Sequence, residues 1–590
     1  MNRWKLAACG LTIALSTISL GADLLAAETG ADATDQQATP LGTHVSDFTL
    51  DNCYGKSVSL ADFDSDPIIA IVYLGTECPL AKLYGPRLSD IQSRYADRGV
   101  QVIGINSNTQ DSLTELAAYA RRYGVDFPVL KDPGNRVADA MGAQRTPEVF
   151  LLDRDRIVRY HGRIDDQYGV GYSREREAKP ELTLAIDALL AGKPVPVAAT
   201  KVVGCHIGRV KQIEPTGEVT YAKHIAKIFN DRCVSCHRDG EIAPFNLGQY
   251  DDVIGWEDTI LEVIDDNRMP PWSADPQHGK FSNDARLTAE ERDLIGRWVD
   301  NGMPRGDDAD LPPAPVFADG WQMDQPEEVI AMNDQSFSVP AEGIVDYQHF
   351  VVDPKWDEDK YIVQAEARPQ RRGVVHHILV YVIPPGSDHR DLRQVLAGYA
   401  PGSPPLDLQD GVALKIAAGS KLLFEMHYTP NGTAQDDRSY VGVRFTEKSK
   451  VRKHLEGRIA VNTKFKIPPG DDNHTVTADY VSRQDEQLLS LSPHMHLRGK
   501  SFRYDVEFPD GRRDTILNVP HYDFNWQLKY VLEKPLTLPR GTKVVCTAVF
   551  DNSEENLTNP DPSQTVRWGD QSFEEMMIGF MDTVPVAEVR

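Results

Sequence analysis

The sequence predicts a multidomain protein: an α/β layered domain, then a small all-α domain, then two all-β sandwich domains. Three observations carry this prediction. Strand and helix patterns alternate up to about residue 200, a C-x-x-C-H sequence lies between helical stretches, and short alternating strands with Gly, Pro and Asp turns follow Trp321. At 590 residues the chain is too long for one core. The predicted domains span residues 41–200, 215–312, 322–455 and 456–590.

The first 27 residues have the pattern of a secretory signal peptide. A short basic start precedes an apolar stretch and small residues near Gly21 to Ala27. A retained membrane anchor is the alternative, and no later run is long and apolar enough to span a bilayer. We therefore expect an exported protein, periplasmic or secreted, that meets a membrane only if this segment is retained. The net charge of −25 argues against a nucleic-acid partner.

The first domain carries a cysteine where a helix begins. PIIAIVYLG (67–75) predicts a buried strand, and Cys78 follows at a helix N-terminus, which stabilises a thiolate. The segments YLGTECPLAKLYGPRL and RTPEVFLLD resemble the thioredoxin-like redoxins over about residues 41 to 195. The resemblance implies a thioredoxin-like fold, with Thr146-Pro147 as the cis-proline loop that faces the redox cysteine. We expect Cys78 to be the most reactive thiol of this domain and a candidate catalytic residue.

The cysteine motif departs from those relatives. Ala81 stands where thioredoxins carry a second cysteine, which excludes dithiol exchange within one motif. The Pro and the Thr or Ser that precede the cysteine of peroxiredoxins are not at that spacing in IVYLGTEC, which argues against peroxidase activity. Cys53 or Cys205 could be a resolving partner, and a scaffold domain with a vestigial thiol is the alternative.

The second domain contains a haem attachment sequence. In Cys233-Val-Ser-Cys236-His237 two thioethers would hold one covalently bound haem c, with His237 as the proximal iron ligand. NRMPPW offers Met269 as the sixth ligand, ahead of His278 and Met303. Residues 218 to 310 resemble a small class I cytochrome c. A disulfide with a bystander histidine is the alternative.

Histidines cluster on the predicted strands of the third region. His376 and His377 are adjacent in VVHHILVYV, where successive side chains point to opposite faces. One metal ion could bind both only if the backbone bends or bulges. His427 lies on another predicted strand, in LLFEMHY.

The fourth region repeats this chemistry with sulfur. His494 and His496 form an H-x-H pair on one face of a strand, and Met576 and Met577 lie near the C-terminus. Three histidines would suit zinc, but a thioether ligand favours Cu(I).

Taken in chain order, HH, MHY, HMHLRGK and EEM resemble the copper type II, ascorbate-dependent monooxygenases, a family that includes the peptidylglycine α-hydroxylating and dopamine β-monooxygenases. The resemblance covers about residues 322 to 590 and implies two jelly-roll-like sandwiches and two copper ions. It implies an electron-storing site of His376, His377 and His427. It also implies an oxygen-binding, catalytic site of His494, His496 and Met576.

The departures from that family concern the substrate. Ser492 stands where the peptide-hydroxylating members carry Arg, and Ile578 and Phe580 stand where they carry Asn and Tyr. The groups that hold a peptide carboxylate are missing, so a peptidylglycine substrate is not expected. Met577 replaces the family's cysteine, which leaves Cys546 without the implied disulfide partner.

These patterns together predict an oxidoreductase that hydroxylates a C–H bond of a small molecule with O2 at two copper ions. Electrons would come from an ascorbate-like reductant or a redox protein and pass through the haem. The alternative is a non-hydroxylating redox carrier or copper-binding protein, with the redoxin-like domain as its thiol-redox unit.

Overall fold

The computed structural model describes residues 40–211, 213–317 and 320–588. The predicted signal segment, residues 1–27, lies outside the described residues. Within the described part, no helix is long and apolar enough to cross a membrane.

The first region is a seven-stranded sheet with helices on both faces. The strands are β1 (Thr49–Asn52), β2 (Ser57–Ser59), β3 (Ile68–Tyr73), β4 (Val100–Asn106), β5 (Val129–Lys131), β6 (Arg145–Thr146), β7 (Glu148–Leu152), β8 (Val158–Gly162), β9 (Tyr168–Gly169) and β10 (Tyr172–Ser173). The helices are α1 (Pro79–Tyr95), α2 (Leu113–Arg122), α3 (Arg136–Met141) and α4 (Glu181–Leu190). The sheet order is β2-β1-β5-β4-β3-β7-β8, with β3, β4 and β5 parallel.

The central strand β3 explains this layered arrangement. Its sequence IIAIVY is apolar at every position, and all six residues are buried. Alternate side chains enter two cores: Ala70 and Val72 pack with α1, α2 and α4, whereas Ile69 and Ile71 pack with α3. The predicted α/β layered domain is confirmed.

The second region is helical. A two-residue strand, β11 (Cys205–His206), precedes a π-helical turn (Tyr221–Ile225) and the helices α5 (Ala226–Arg232), α6 (Tyr250–Val253), α7 (Glu257–Asp265) and α8 (Ala289–Asp300). Thr288 caps α8 by accepting a hydrogen bond from Glu291 N–H. Between residues 215 and 312, every regular element that the structure describes is a helix. The cytochrome c fold of this segment stays a prediction.

One loop of the helical region packs into the last region of the chain. Trp272 and Phe281 form edge-to-face contacts with Tyr530, at centroid distances of 4.9 and 5.5 Å. The Asp275 N–H donates to the Asn518 carbonyl at 2.8 Å. The segment predicted as a separate domain, 215–312, therefore shares a core with residues beyond 456.

The third region is two facing sheets. Its strands are β12 (Glu328–Ala331), β13 (Phe337–Val339), β14 (Gln348–Val352), β15 (Lys360–Arg368), β16 (Val375–Ile383), β17 (Asp391–Tyr399), β18 (Leu406–Asp407), β19 (Val412–Ile416), β20 (Lys421–Tyr428), β21 (Gln435–Asp437), β22 (Tyr440–Phe445) and β23 (Lys453–His454). The sheet β12-β22-β15-β19-β23 and the sheet β14-β20-β16-β17 share one apolar core.

The fourth region repeats this plan. Its strands are β24 (Glu456–Val461), β25 (Lys466–Ile467), β26 (His474–Val481), β27 (Glu486–His494), β28 (Gly499–Glu507), β29 (Arg513–Val519), β30 (Tyr530–Leu538), β31 (Lys543–Phe550), β32 (Val566–Arg567) and β33 (Ile578–Pro585). The sheets β24-β33-β27-β30 and β26-β31-β28-β29 enclose a second core. The chain beyond Trp321 is β-rich, as predicted, and its jelly-roll connectivity stays a prediction.

Short 3-10 helices complete the described elements, at Leu60–Phe63, Ala96–Arg98, Pro133–Asn135, Asp308–Asp310 and Lys448–Lys450.

Candidate functional site

Cys78 lies at the N-cap of α1, against the loop that carries Thr146 and Pro147. The end of β3 delivers it there, and Pro79 starts the helix. Its side chain is buried, and in the protonated form its thiol donates to the Thr146 carbonyl at 2.9 Å. The Thr146–Pro147 peptide is cis, as the redoxin resemblance implies.

A second thiol contacts this sulfur. Strand β11 pairs antiparallel with β6, and Cys205 is the register partner of Thr146. Thr146 is also the residue whose carbonyl accepts from Cys78, so this register brings the Cys205 side chain into the same buried neighbourhood as the Cys78 sulfur. Of the two partner thiols that the sequence left open, Cys205 is the one whose strand pairs with the residue that Cys78 contacts.

The pair is electrostatically asymmetric. Burial raises the pKa of Cys78, but the polar groups of Cys205, Ala81 and Thr146 around the sulfur favour the thiolate and outweigh burial, so that the pKa lies below its ordinary value. The pKa of Cys205 is raised because its thiol donates to Cys78 and because it is buried. Cys78 is therefore the thiol that ionises first.

An ion-pair network holds β11 against the helical region. Glu262 on α7 accepts from Arg145 at 2.7 Å and pairs with His206 at 2.6 Å. Burial raises the pKa of Glu262, but these two partners outweigh burial and lower it to about 2. The strand that carries Cys205 therefore contacts the redoxin sheet through β6 and the helical region through Glu262.

The C-x-x-C-H residues follow α5. Cys233 and Cys236 are partly buried thiols, and His237 Nδ1 lies 3.0 Å from the Phe245 carbonyl. This bond engages Nδ1 and leaves Nε2 as the nitrogen for a metal. Burial lowers the pKa of His237, which keeps the imidazole neutral, the form that ligates. Cys233, Cys236 and His237 are the residues that would hold a covalent haem, and its attachment stays a prediction.

Met269 follows α7, and its N–H donates to the Val263 carbonyl at 3.0 Å. Its role as the sixth iron ligand stays a prediction.

His376, His377 and His427 come together through a β-bulge. His377 on β16 is the register partner of His427 on β20, and the register shifts between Val375 and His377. The His376 Nδ1 atom consequently lies 3.1 Å from Nδ1 of both other histidines. One ligand atom from each of the three falls within 4.8 Å of the others. The sequence required a bulge here for convergence, and the structure has one.

His494 and His496 lie at the end of β27, with ring centroids 5.2 Å apart. His494 Nδ1 lies 2.7 Å from Gln527 Oε1, and His496 Nδ1 lies 3.3 Å from the Glu574 carbonyl, so Nε2 is the nitrogen available for a metal in both. Met576 is buried just before β33, whose first residue Ile578 pairs with His494. Ligation by Met576 stays a prediction.

The surroundings of all five histidines favour the neutral imidazole. Burial lowers the pKa of each, to about 4 for His376, and the neighbouring imidazoles lower those of His377, His427 and His496 further. Neutral imidazoles bind metal without first losing a proton.

Three side chains that the sequence did not single out join the two histidine groups. The Tyr347 ring stacks on His427 at 4.9 Å and lies 6.0 Å from His496. Phe524 lies 5.4 Å from His427 and 5.9 Å from His496. Gln527, besides bonding His494, places Nε2 3.4 Å from His377 Nδ1. The two groups therefore share one buried neighbourhood. No sequence motif identifies these residues, because their role depends on contacts between segments that are distant in the sequence.

Glu575 binds the backbone of the H-x-H segment. Its two carboxylate oxygens accept the N–H groups of His496 and Arg498, at 2.8 and 2.6 Å. Burial raises the pKa of this carboxyl to about 7, although the hydrogen bonds from His496 and Arg498 act to lower it.

A cavity of about 150 Å³ opens beside both histidine groups. Its walls include His377 and His494 together with Ser492 and Phe580. Ser492 and Phe580 carry no charge, so these two wall positions offer no cationic partner to a carboxylate.

Comparison with known proteins finds similarity in the first region. Residues 41–161 match the model of the AhpC/TSA family. The thiol-disulfide oxidoreductase ResA of Halalkalibacterium halodurans is 28% identical over 128 residues, 22% of this chain and 71% of that protein. A chloroplastic peroxiredoxin Q of Triticum aestivum is 30% identical over 120 residues, 19% of this chain and about half (54%) of that protein.

Among solved structures, a hypothetical protein from Sinorhizobium meliloti 1021 is 35% identical, with a TM-score of 0.27, and covers 29% of this chain and 94% of its own. The chain therefore contains, from residue 41 onward, a thioredoxin-like redoxin domain of the AhpC/TSA type.

Proposed function

We propose that this chain is a redox protein whose redoxin domain exchanges thiols with disulfides at Cys78. The observation that carries the proposal is Cys78 itself, held at a helix N-terminus against the Thr146-Pro147 loop with a pKa below its ordinary value. The similarity to a protein named thiol-disulfide oxidoreductase supports it.

The chemistry follows from the thiolate. Ionised Cys78 attacks one sulfur of a disulfide, forms a mixed disulfide and releases the other sulfur as a thiolate. Disulfide exchange is favoured over peroxide reduction because IVYLGTEC lacks the peroxiredoxin residues before the cysteine.

The test is reduction of glutathione disulfide by the full chain with dithiothreitol as the final reductant. We expect Cys78→Ser to bring the rate down to the uncatalysed background. Cys53→Ser, which removes a buried thiol from the same core, is the matched control and should keep the rate. Unchanged turnover by Cys78→Ser would contradict the proposal.

A second function is favoured by the histidine groups: we propose that the β-rich region binds copper and oxidises a small molecule. His376, His377 and His427 would hold one ion, and His494, His496 and Met576 a second. Copper bound there would supply one-electron redox chemistry and activate O2 toward a C–H bond. The chain's own residues would orient the imidazoles through Gln527 and Tyr347 and hold the substrate in the cavity beside His377 and His494.

Copper content and the sulfur ligand test this second function. We expect about two coppers per chain by mass spectrometry, falling to about one in His376→Ala. His389→Ala, an exposed histidine outside both groups, is the control. Sulfur scattering in the X-ray absorption of the reduced protein should disappear in Met576→Ala. Zinc in place of copper, or O2 consumption without a hydroxylated product, would exclude the hydroxylase and leave a metal-binding protein.

The proposed electron route passes through the haem. Glu241, four residues after His237, forms an ion pair with Arg372, four residues before His376. This contact joins the attachment loop to the strand of the first histidine group, which supports electron delivery from the haem to that group. Covalent haem on Cys233 and Cys236, and export from the cytoplasm, belong to the same proposal. Loss of all haem into acidic acetone would contradict it.

A further inference from the structure

We propose that Cys205 is the resolving cysteine of Cys78, so that the oxidised state of the redoxin domain is a Cys78–Cys205 disulfide. The inference rests on the proposed thiol–disulfide exchange and names the second sulfur that the C-x-x-A motif lacks. It places that sulfur outside the redoxin motif, on the strand that leads into the haem-attachment region.

The backbone brings Cys205 to Cys78. Gly204, Cys205 and Ile207 lie along the β6 loop: the Gly204 carbonyl accepts from Arg145 at 2.8 Å, and Ile207 N–H donates to the Gln144 carbonyl at 2.9 Å. A Cβ built at Gly204, whose φ is +143°, would lie 2.1 Å from the Thr146 carbonyl oxygen. Only glycine permits so close an approach, and the approach sets the next residue, Cys205, against the redox sulfur.

The strand β11 also covers Cys78, which is 1% exposed. A disulfide therefore reaches Cys78 when β11 moves aside, and the return of β11 brings Cys205 against the mixed disulfide. Because Cys205 stays protonated while Cys78 is ionised, attack on the incoming disulfide falls to Cys78.

The steps balance as two thiol–disulfide exchanges. The Cys78 thiolate attacks R–S–S–R′, the S–S bond breaks, and R′S⁻ leaves and takes up a proton. The Cys205 thiol loses its proton and attacks the Cys78 sulfur, and RS⁻ leaves and takes up a proton. Two electrons pass from the two cysteines to the partner disulfide, and a dithiol reductant reverses the sequence.

The experiment exposes the full chain to glutathione disulfide, quenches it in acid, alkylates the remaining thiols and maps the peptides by mass. In the unaltered chain we expect a crosslink between the peptides of Cys78 and Cys205, with both thiols lost together. In Cys205→Ser we expect a stable glutathione adduct on Cys78.

A backbone variant tests the geometry without removing a sulfur. Gly204→Ala must displace β11, so the Cys78–Cys205 crosslink should form on the order of a hundredfold more slowly while the glutathione adduct accumulates. Gly192→Ala, also at positive φ but with open space around its Cβ, is the matched control and should form the crosslink at the unaltered rate.

The two proposals fail differently. If the unaltered chain holds glutathione on Cys78 while Cys205 is recovered as an alkylated free thiol, Cys205 is not the resolving cysteine and the exchange activity of Cys78 stands. If Cys205→Ser acquires no adduct on Cys78, the exchange function itself is refuted, and the resolving role with it.

Discussion

At the scale of single residues, buried polar side chains hold the candidate sites in shape. Glu575 is the clearest case among the described residues, because one carboxylate satisfies two buried backbone N–H groups of the H-x-H segment. An unsatisfied buried donor costs more than an ordinary hydrogen bond contributes.

We therefore expect Glu575→Ala to lower the free energy of unfolding by about 2–5 kcal/mol, since two buried donors lose their acceptor. Urea unfolding followed by circular dichroism measures this change. Glu554→Ala, at an exposed carboxylate, should change stability by less than about 0.5 kcal/mol. Equal changes in unfolding free energy for the two variants would show that the hydrogen bonds of Glu575 do not stabilise the fold.

Single residues also show where sequence reasoning stops. The H-x-H spacing and the adjacent histidines were visible because chemistry repeats at short range along the chain. Tyr347, Phe524 and Gln527 lie 80 to 150 residues from histidines that they contact, and nothing in the local sequence distinguishes them from ordinary core residues. Cys205 was visible as a cysteine, but its contact with Cys78 depends on strand pairing.

At the scale of elements, the two-residue strand β11 connects two regions of the molecule. Strand β11 joins the redoxin sheet through β6 and the helical region through Glu262 on α7. Propensity-based reasoning predicts strands from runs of four to eight residues, so β11 was not foreseen, whereas β3 and the bulged β16 were.

The Glu262 network makes a pH-dependent prediction. Its pKa lies near 2 in the folded protein, below the ordinary 4.5, so its contribution is fully present above about pH 4.5 and is lost as the pH falls toward 2. Glu262→Gln should destabilise the protein by about 1–2 kcal/mol at pH 7 and by progressively less below pH 4.5. Urea midpoints measured across this range check it, with the exposed Glu218→Gln as control. A difference that stays constant down to pH 2 would contradict the assignment.

At the scale of the whole molecule, the predicted domains are not independent bodies. Trp272 lies in the segment that resembles a cytochrome c, yet its ring is buried against Tyr530 of the last β region. Composition and periodicity predicted the α/β and the β-rich parts of the chain. They could not predict this packing, because the local sequence around an apolar loop residue does not determine which core its side chain enters.

Removing that ring tests the coupling. Trp272→Ala should cost about 3–5 kcal/mol and increase proteolysis within residues 266–288, because it leaves a cavity at the junction. Trp272→Phe should cost clearly less, since the indole N–H has no hydrogen-bond acceptor among the described residues. Proteolysis that rises equally in both variants would show that Trp272 does not join the two regions.

The pairing of Cys78 with Cys205 has a thermodynamic consequence. The two positions are 127 residues apart in the sequence (205 − 78), and this interval spans nearly all of the redoxin domain after its first long strand. A bond across an interval of that length removes chain entropy from the unfolded ensemble worth about 4–5 kcal/mol in the simplest treatment. The redox state of the partner would then set how readily this domain unfolds: calorimetry should find a higher melting temperature for the oxidised chain than for the reduced one, and no such difference in Cys205→Ser. The thermal stability of such a domain would therefore report its oxidation state.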